Sequence, residues 1–268
     1  FALVLFLFVA KNVDAAVLSK APSNLGLVGY WSFNEGTTTT ALDYSGNKNK
    51  GTLVNGPVWT SGKLGKALNF DGVNDLVNVG SGSVLDNLSS MTISAWIYPR
   101  SKGEQSRGFI AGKRGTGNDG WTIMIDDSAV NAFTFLVDYA TTDLTRTTSN
   151  NAMTLNAWQH VLVTWDGTVT ATNVHIYIDG TERSYQTTTN SAGSRSDDNA
   201  NSVIIGENAA DSAAFDGLID DVRVYNRALS AAEVAALYNV GAVKYTPPNN
   251  LGLVGYWSFN EGTTTTAL

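Results

Sequence analysis

Five side chains with oxygen donors stand in two stretches far apart in the chain. Asn118 and Asp119 follow a Lys113-Arg114 loop, while Glu207, Asn208 and Asp211 follow the strand-like run Ser202 to Gly206. Calcium takes roughly six to eight oxygens from carboxylates, amide carbonyls and backbone, so Asp and Asn collected in loops are the donors such an ion needs. The other reading of the same residues is a set of solvated turns with no metal. A second acidic set is structural in character: Asn34 and Glu35 end the first strand, Asp220 and Asp221 lie in the last, and Asp71 and Asp75 join them. If the first and last strands are neighbours, one ion there pins the two ends of the domain; otherwise these carboxylates cap nearby backbone. Trp59 and Trp121 border loops and either stack on a sugar ring through their flat apolar faces or pack into the core. Trp31, Trp96, Trp158 and Trp165 fall on alternating strand positions and read as core. His160 and His175 lie inside strands without an adjacent nucleophile or a third ligand, and read as ordinary sheet residues.

Catalytic chemistry has little to work with. Asp126-Asp127 and Asp220-Asp221 are the paired carboxylates, and neighbours in a strand point to opposite faces, so neither pair supplies the facing acid and base of a glycosidase. No Gly-x-Ser-x-Gly, His-Glu-x-x-His or phosphate-loop pattern occurs. Asn87-Leu88-Ser89 matches the short glycosylation pattern, a weak signal on its own.

The elements that must position these residues are strands. Apolar residues alternate with period two in Met91 to Tyr98, Gly120 to Asp126, Ala132 to Tyr139, Ala157 to Trp165 and Val174 to Ile178. Between them lie turn-forming clusters such as Gly112 to Asn118 and Asn190 to Asn201, and Asp166-Gly167 and Asp179-Gly180 are tight-turn dipeptides. One helix is expected. Ser230-Ala231-Ala232-Glu233 is a capping box opening a short helix to about Tyr238, with Gly241 as its stop. The pattern as a whole predicts an all-β, two-sheet antiparallel sandwich with one short C-terminal helix.

Composition narrows the compartment and the partners. The 268 residues carry a net charge of -7, which argues against nucleic acid and anionic membranes, since both select basic surfaces. Cysteine is absent, so there is no disulfide framework, thiolate metal site or cysteine nucleophile. Asp greatly outnumbers Glu, as suits turns and calcium loops. Phe1 to Ala10 is wholly apolar but too short to span a bilayer, and with Val13-Asp14-Ala15 it reads as a truncated signal peptide cut after Ala15. The protein is therefore expected to be secreted or displayed at the cell surface, without membrane insertion.

Nineteen residues, Asn24 to Leu42, return identically as Asn250 to Leu268, 226 positions later. The offset is the size of a domain rather than of a solenoid unit. The expected organisation is a leader over 1–15, a linker over 16–24, a domain over 25–241, a Pro-containing linker over 242–250, and over 251–268 the start of a second copy in tandem.

Several stretches in order carry a resemblance. They are Leu27 to Gly36 (LVGYWSFNEG), Asp43 to Asn47, Ala67 to Gly72, Thr92 to Ile97, Trp158 to Val161 running on to Gly167, and above all Phe215 to Ser230 (FDGLIDDVRVYNRALS). Together they resemble the laminin-G-like jelly rolls of the concanavalin A-like lectin/glucanase superfamily, in its bacterial pentraxin-like branch. The resemblance implies a jelly-roll sandwich whose first and last strands are adjacent, and calcium-assisted binding of glycans or of cell-surface or matrix proteins. It also implies convergence of the Asn118-Asp119 and Glu207–Asp211 loops on one ligand site, with one residue more between Glu207 and Asp211 than pentraxins have. The function expected first is a secreted, non-catalytic carbohydrate- or surface-binding module repeated in tandem to gain avidity. The alternatives are a structural spacer of a cell-surface adhesin and an accessory domain of a secreted glycoside hydrolase.

Overall fold

The structure is a computed structural model that describes residues 24–117, 119–126, 130–208 and 213–242. The expected leader and its cleavage site, the linker beyond 242, the second copy over 251–268, and Asn118, Asp127 and Asp211 lie outside the described residues.

Period-two patterning is realised as strands throughout. In chain order these are β1 (Leu27–Trp31), β2 (Thr40–Ala41), β3 (Gly51–Val54), β4 (Val58–Ser61), β5 (Lys66–Asp71), β6 (Leu76–Gly80) and β7 (Met91–Pro99). They continue with β8 (Gly108–Arg114), β9 (Gly120–Asp126), β10 (Ala132–Val137), β11 (Leu144–Thr148), β12 (Gln159–Trp165), β13 (Val174–Ile178) and β14 (Thr181–Glu182). The last are β15 (Tyr185–Thr189), β16 (Val203–Ile205), β17 (Glu207–Asn208), β18 (Ala213–Ala214) and β19 (Asp216–Tyr225), followed by helix α1 (Ala231–Ala242).

Two large antiparallel sheets face each other. One runs β14-β13-β12-β7-β19-β5-β4, with β1 also on β19, and the other runs β15-β11-β10-β9-β8-β16-β6-β3-β2. Alternate residues such as Ile93, Ala95 and Ile97 on β7, Val161 and Val163 on β12, and Phe133, Phe135 and Val137 on β10 fill the space between them. As the resemblance implies, first and last strands are neighbours: β1 pairs with Val222 to Tyr225 of β19, while Asp216 to Ile219 of the same strand pair with β5.

The outer face of the first sheet is closed by α1. Val234 and Leu237 pack with Leu27, Leu162, Tyr225 and Leu229, and Tyr238 stacks on Trp96 at 5.8 Å between ring centroids. The capping box forms as expected: Glu233 Oε2 accepts the Ser230 N–H at 2.9 Å, and Ser230 Oγ accepts the Glu233 N–H at 3.4 Å. The helix does not stop at Gly241 but includes it and ends at Ala242.

Local turn chemistry separates the two Asp-Gly dipeptides, of which Asp179-Gly180 makes the expected tight turn. Asp179 and Gly180 both have positive φ (52° and 73°), as a two-residue hairpin between β13 and β14 requires. Asp166-Gly167 instead opens a longer connection, in which Asp166 Oδ1 accepts the Thr168 N–H at 3.0 Å. The Lys113-Arg114 segment read as loop is the end of β8, because cross-strand pairing with β9 continues to Arg114 opposite Gly120. Trp158 lies before β12 and is half-buried, edge-on to Tyr98, whereas Trp31, Trp96 and Trp165 are core.

Candidate functional site

At the end of the sandwich where β8, β10 and β12 finish and β7 and β16 begin, loops enclose an open cleft of about 420 Å³. Its walls are Asn87, Ser89, Tyr139, Trp165, Ser196 and Asp197, with Gly167 and Arg195 completing them. That size lies in the range of small-ligand sites.

The cleft is built on a buried ionic frame. Lys113 is fully buried at the end of β8, and its Nζ lies 2.7 Å from Asp86 Oδ1 and 3.1 Å from Asp198 Oδ1. Asp198, equally buried, exchanges hydrogen bonds with Asn87: its Oδ1 accepts the Asn87 N–H at 2.8 Å and its own N–H donates to Asn87 Oδ1 at 3.1 Å. Its Oδ2 accepts Arg195 Nη2 at 3.1 Å, while Arg195 Nη1 donates to the Leu88 carbonyl. Two loops about 110 residues apart are thereby held in one geometry.

Above the frame lie groups with capacity to spare. Arg195 sits over the Trp165 ring, 5.3 Å from its centroid, and its Nε is buried without a partner. Burial lowers the Arg195 pKa although Asp198 works against it. Asp197 is exposed and accepts Asn87 Nδ2 at 2.7 Å; that bond, with the Asn199 N–H, lowers its pKa and keeps it a carboxylate. The cleft thus offers a fixed anionic acceptor, an amide, two serine hydroxyls and a guanidinium beside the Tyr139 ring. These are groups that bind vicinal hydroxyls.

Gly167 lets two loops touch at the cleft wall. A Cβ there would lie 1.7 Å from the Ser89 carbonyl oxygen, on a backbone with φ of +89°. Gly167→Ala is therefore expected to push the Ser89 loop outward and lower the melting temperature by several degrees, checked by calorimetry.

The residues singled out in the sequence are distributed differently from expectation. Asp119 does stand at this end, where its carbonyl and Oδ1 accept Asn201 Nδ2 at 2.6 and 3.1 Å. Glu207 and Asn208 do not join it. They form β17 beyond the opposite end of β16, six residues from Asn201, about 20 Å along a strand. Glu207 faces the charge of Glu104 instead, and burial with that charge raises its pKa. Convergence of the two loops is thus corrected for the described residues: β16 runs between them and holds them at opposite ends.

Trp121 is also corrected. It faces inward from β9 and is wholly buried in the inter-sheet core, out of reach of a ligand. Trp59 lies on the edge strand β4, half-buried against the core, with Nε1 donating to the Thr38 carbonyl at 2.7 Å. The second acidic set caps backbone. Asp220 Oδ2 accepts the Leu64 N–H and Asn34 Oδ1 the Lys66 N–H, each at 2.8 Å, at the turn joining β4 and β5. Glu35 Oε1 accepts the Leu42 N–H at 3.0 Å. Asp71 turns to the Val73 N–H at 2.9 Å and stands opposite Asp216, four residues along β19 from Asp220. Among the described residues no three His, Asp or Glu side chains are placed to share a metal.

A bulge in β19 overturns one further expectation. Asp221 has φ of +54°, and the register shifts between Asp220 and Arg223. Asp221 pairs with Arg223 at 3.2 Å, whose guanidinium covers the Tyr30 ring, while Asp220 stands opposite Trp96. Both carboxylates are buried on the outer side of the first sheet, Asp220 beside Trp96 and Asp221 beside Arg223, rather than on opposite faces. Asn87, Tyr139, Arg195 and Asp197 escaped the sequence reading as binding residues. The signal present was an Arg-Ser-Asp-Asp run within a long turn-rich loop.

Comparison with known proteins agrees with this architecture. The profile of the laminin-G-type family described as the concanavalin A-like lectin/glucanases superfamily matches residues 71–235. Adhesion G-protein coupled receptor V1 of Danio rerio is 27% identical over 166 residues, 57% of this chain and 2% of the receptor. Among solved structures, the binding domain of Paraclostridial Mosquitocidal Protein 1 aligns with a TM-score of 0.64 at 20% identity, over 80% of this chain and 52% of that one. Domain 4 of AbnA, an extracellular GH43 arabinanase from Geobacillus stearothermophilus in complex with arabinotriose, aligns at 0.56 and 20% identity, over 79% and 98%. The binding domain of botulinum neurotoxin serotype D aligns at 0.59 and 14% identity, over 81% and 52%. At these identities the structures share the fold, and among the described residues no helix is long and apolar enough to cross a membrane. With its profile match spanning most of the sandwich and its two sheets in jelly-roll order, the chain belongs to the laminin-G-type family of the concanavalin A-like lectin/glucanases superfamily.

Proposed function

We propose that this domain is a non-catalytic carbohydrate-binding module whose ligand, a short glycan segment, enters the cleft between Asn87, Tyr139 and Asp197. The observation that carries the reading is the exposed Asp197 carboxylate, fixed by Asn87 next to Arg195 over an aromatic floor. The arrangement is rigid before any ligand arrives, so little ordering entropy opposes binding. Related folds serve as a toxin binding domain and as an arabinotriose-bound domain of an arabinanase, which supports a binding role for this one. The apolar Phe1 to Ala10 run and the Danio rerio receptor relative support an extracellular setting, and the repeated segment supports avidity from tandem copies. Calcium is not required by the cleft, since its carboxylates are already paired with nitrogen donors.

A glycan array run with calcium and again with chelator tests this. Binding is expected in both conditions, and Asp197→Ala is expected to weaken it at least about tenfold through loss of charged hydrogen bonds. The melting temperature should stay within a degree or two, because Asp197 is exposed. Binding that vanishes with chelator would restore a calcium site, and an array without any binding would leave the spacer reading.

A further inference from the structure

Two cations and three carboxylates meet at the cleft and the frame beneath it. Lys113 Nζ lies 2.7 Å from Asp86 and 3.1 Å from Asp198, and Arg195 Nη2 lies 3.1 Å from Asp198, so both cations are matched inside the frame. Asp197 is the carboxylate left over. Its Oδ1 accepts Asn87 Nδ2 at 2.7 Å and the Asn199 N–H at 3.1 Å, and both of these donors are neutral. Those bonds lower its pKa and keep it ionised. Among the described residues nothing donates to its Oδ2, and the residue is exposed at the cleft wall.

Arg195 is the one cation among the wall residues, and its fork is already engaged by the protein. Nη1 donates to the Leu88 carbonyl, Nη2 donates to Asp198 Oδ2, and the guanidinium lies over the Trp165 ring. A bidentate grip on a ligand carboxylate needs two parallel N–H groups that are free. An acidic sugar therefore meets the repulsion of Asp197 with no fork to hold it. An ammonium meets the reverse. It brings three donors to the free lone pairs of Asp197, the Tyr139 ring in the same walls adds attraction for a cation, and the net charge of -7 draws cations to the chain. The hydroxyls of Ser89 and Ser196 remain for the hydroxyls of a sugar ring.

Resting on the glycan reading of the cleft, we propose that the glycan it takes is an amino sugar with a free ammonium group, its nitrogen on Asp197 Oδ2 and its ring hydroxyls on Ser89 and Ser196. N-acetylation removes the charge from that nitrogen and leaves it one hydrogen to donate. The cleft thereby separates the free from the acetylated form of one sugar.

Titration calorimetry of the full chain tests this with a glucosamine tetramer, the same tetramer N-acetylated, a galacturonate tetramer and a lysine tetrapeptide. The glucosamine tetramer is expected to bind at least about tenfold more tightly than its acetylated counterpart, as the loss of one charge-assisted hydrogen bond implies, and the galacturonate tetramer most weakly of the three. Raising the salt from about 0.01 M to about 0.15 M is expected to weaken the glucosamine tetramer and to leave the acetylated one unchanged. Asp197→Asn keeps an acceptor for Asn87 and removes the charge, so it is expected to bring those two tetramers to the same affinity. Acetylated or galacturonate tetramers that bind as tightly as the glucosamine tetramer would overturn the proposal, and so would a preference that survives in Asp197→Asn. A lysine tetrapeptide that binds as tightly would show that the site takes ammonium on any carrier, which overturns the assignment to a sugar. If no saccharide binds, the glycan reading of the cleft falls and the amino sugar with it. If the acetylated tetramer binds and the glucosamine tetramer does not, the glycan reading stands and only the amino sugar falls.

Discussion

Replacing Lys113 with methionine is expected to lower folding stability by about 3–5 kcal/mol. Lys113 is a fully buried cation 2.7 Å from Asp86 and 3.1 Å from Asp198, and Asp198 is itself fully buried. Its removal leaves a buried carboxylate with Arg195 as its one remaining cation, and the desolvation cost of that charge is no longer offset. Urea denaturation should show a lower midpoint with an unchanged slope, since the surface exposed on unfolding is nearly the same. Combining it with Asp198→Asn should recover part of the loss, because the second change removes the stranded charge. The same variant should weaken glycan binding, since Asp198 orients both Asn87 and Arg195. A midpoint equal to the parent's would mean that the ionic frame carries no stability.

A second large effect concerns pH, and it appears when either of two groups is removed. Asp220 and His160 stand on either side of Trp96 across three adjacent strands. Burial pushes Asp220 up from 3.8 to about 7, with the Leu64 N–H opposing and the Asp221 carboxylate adding to the rise. Burial, aided by Arg223, pushes His160 down from 6.5 to about 3. Asp220 thus favours the folded state fully below 3.8 and loses that contribution as pH rises through about 7. His160 contributes fully above 6.5 and loses its contribution as pH falls towards about 3. Between 3.8 and 6.5 the folded chain holds one proton on Asp220 where the unfolded chain holds one on His160, so the two slopes cancel.

Asp220→Asn should uncover the His160 slope, with stability rising by up to roughly 1.4 kcal/mol per pH unit across that range. His160→Gln should uncover the opposite slope from Asp220. Urea midpoints measured across the range for the parent and both variants check this. Parallel profiles in all three would show that neither group is perturbed.

Much of the scaffold was legible without coordinates. Gly120 to Asp126 and Val174 to Ile178 were bounded to the residue by alternation alone, and the Ser230–Glu233 box located the helix start, because these are local effects of side-chain direction and orphan backbone groups. Backbone capping by Asn34 and Asp220 was also one of the two readings that residue types allowed. Trp121 shows the limit. Its place beside a turn left stacking on a ligand open alongside packing into the core, and β9, in mid-sheet, directs that side chain into the core. The Asp220-Asp221 pair shows another, since alternation fails where a bulge adds a residue.

The sequence by itself determined the strands, their apolar faces, the capped helix, the family and the identity of residues 24–42 with 250–268. Only the tertiary structure decided which loops share an end of the sandwich. Strand pairing set that, bringing Asn87 to Asp197 and Lys113 to Asp86 and Asp198, while β16 held Glu207 away from Asp119. The physical reason is that alternation fixes which way a side chain points but leaves open which strand lies beside it. Adjacency between residues about 110 positions apart comes from the packing of the whole sheet.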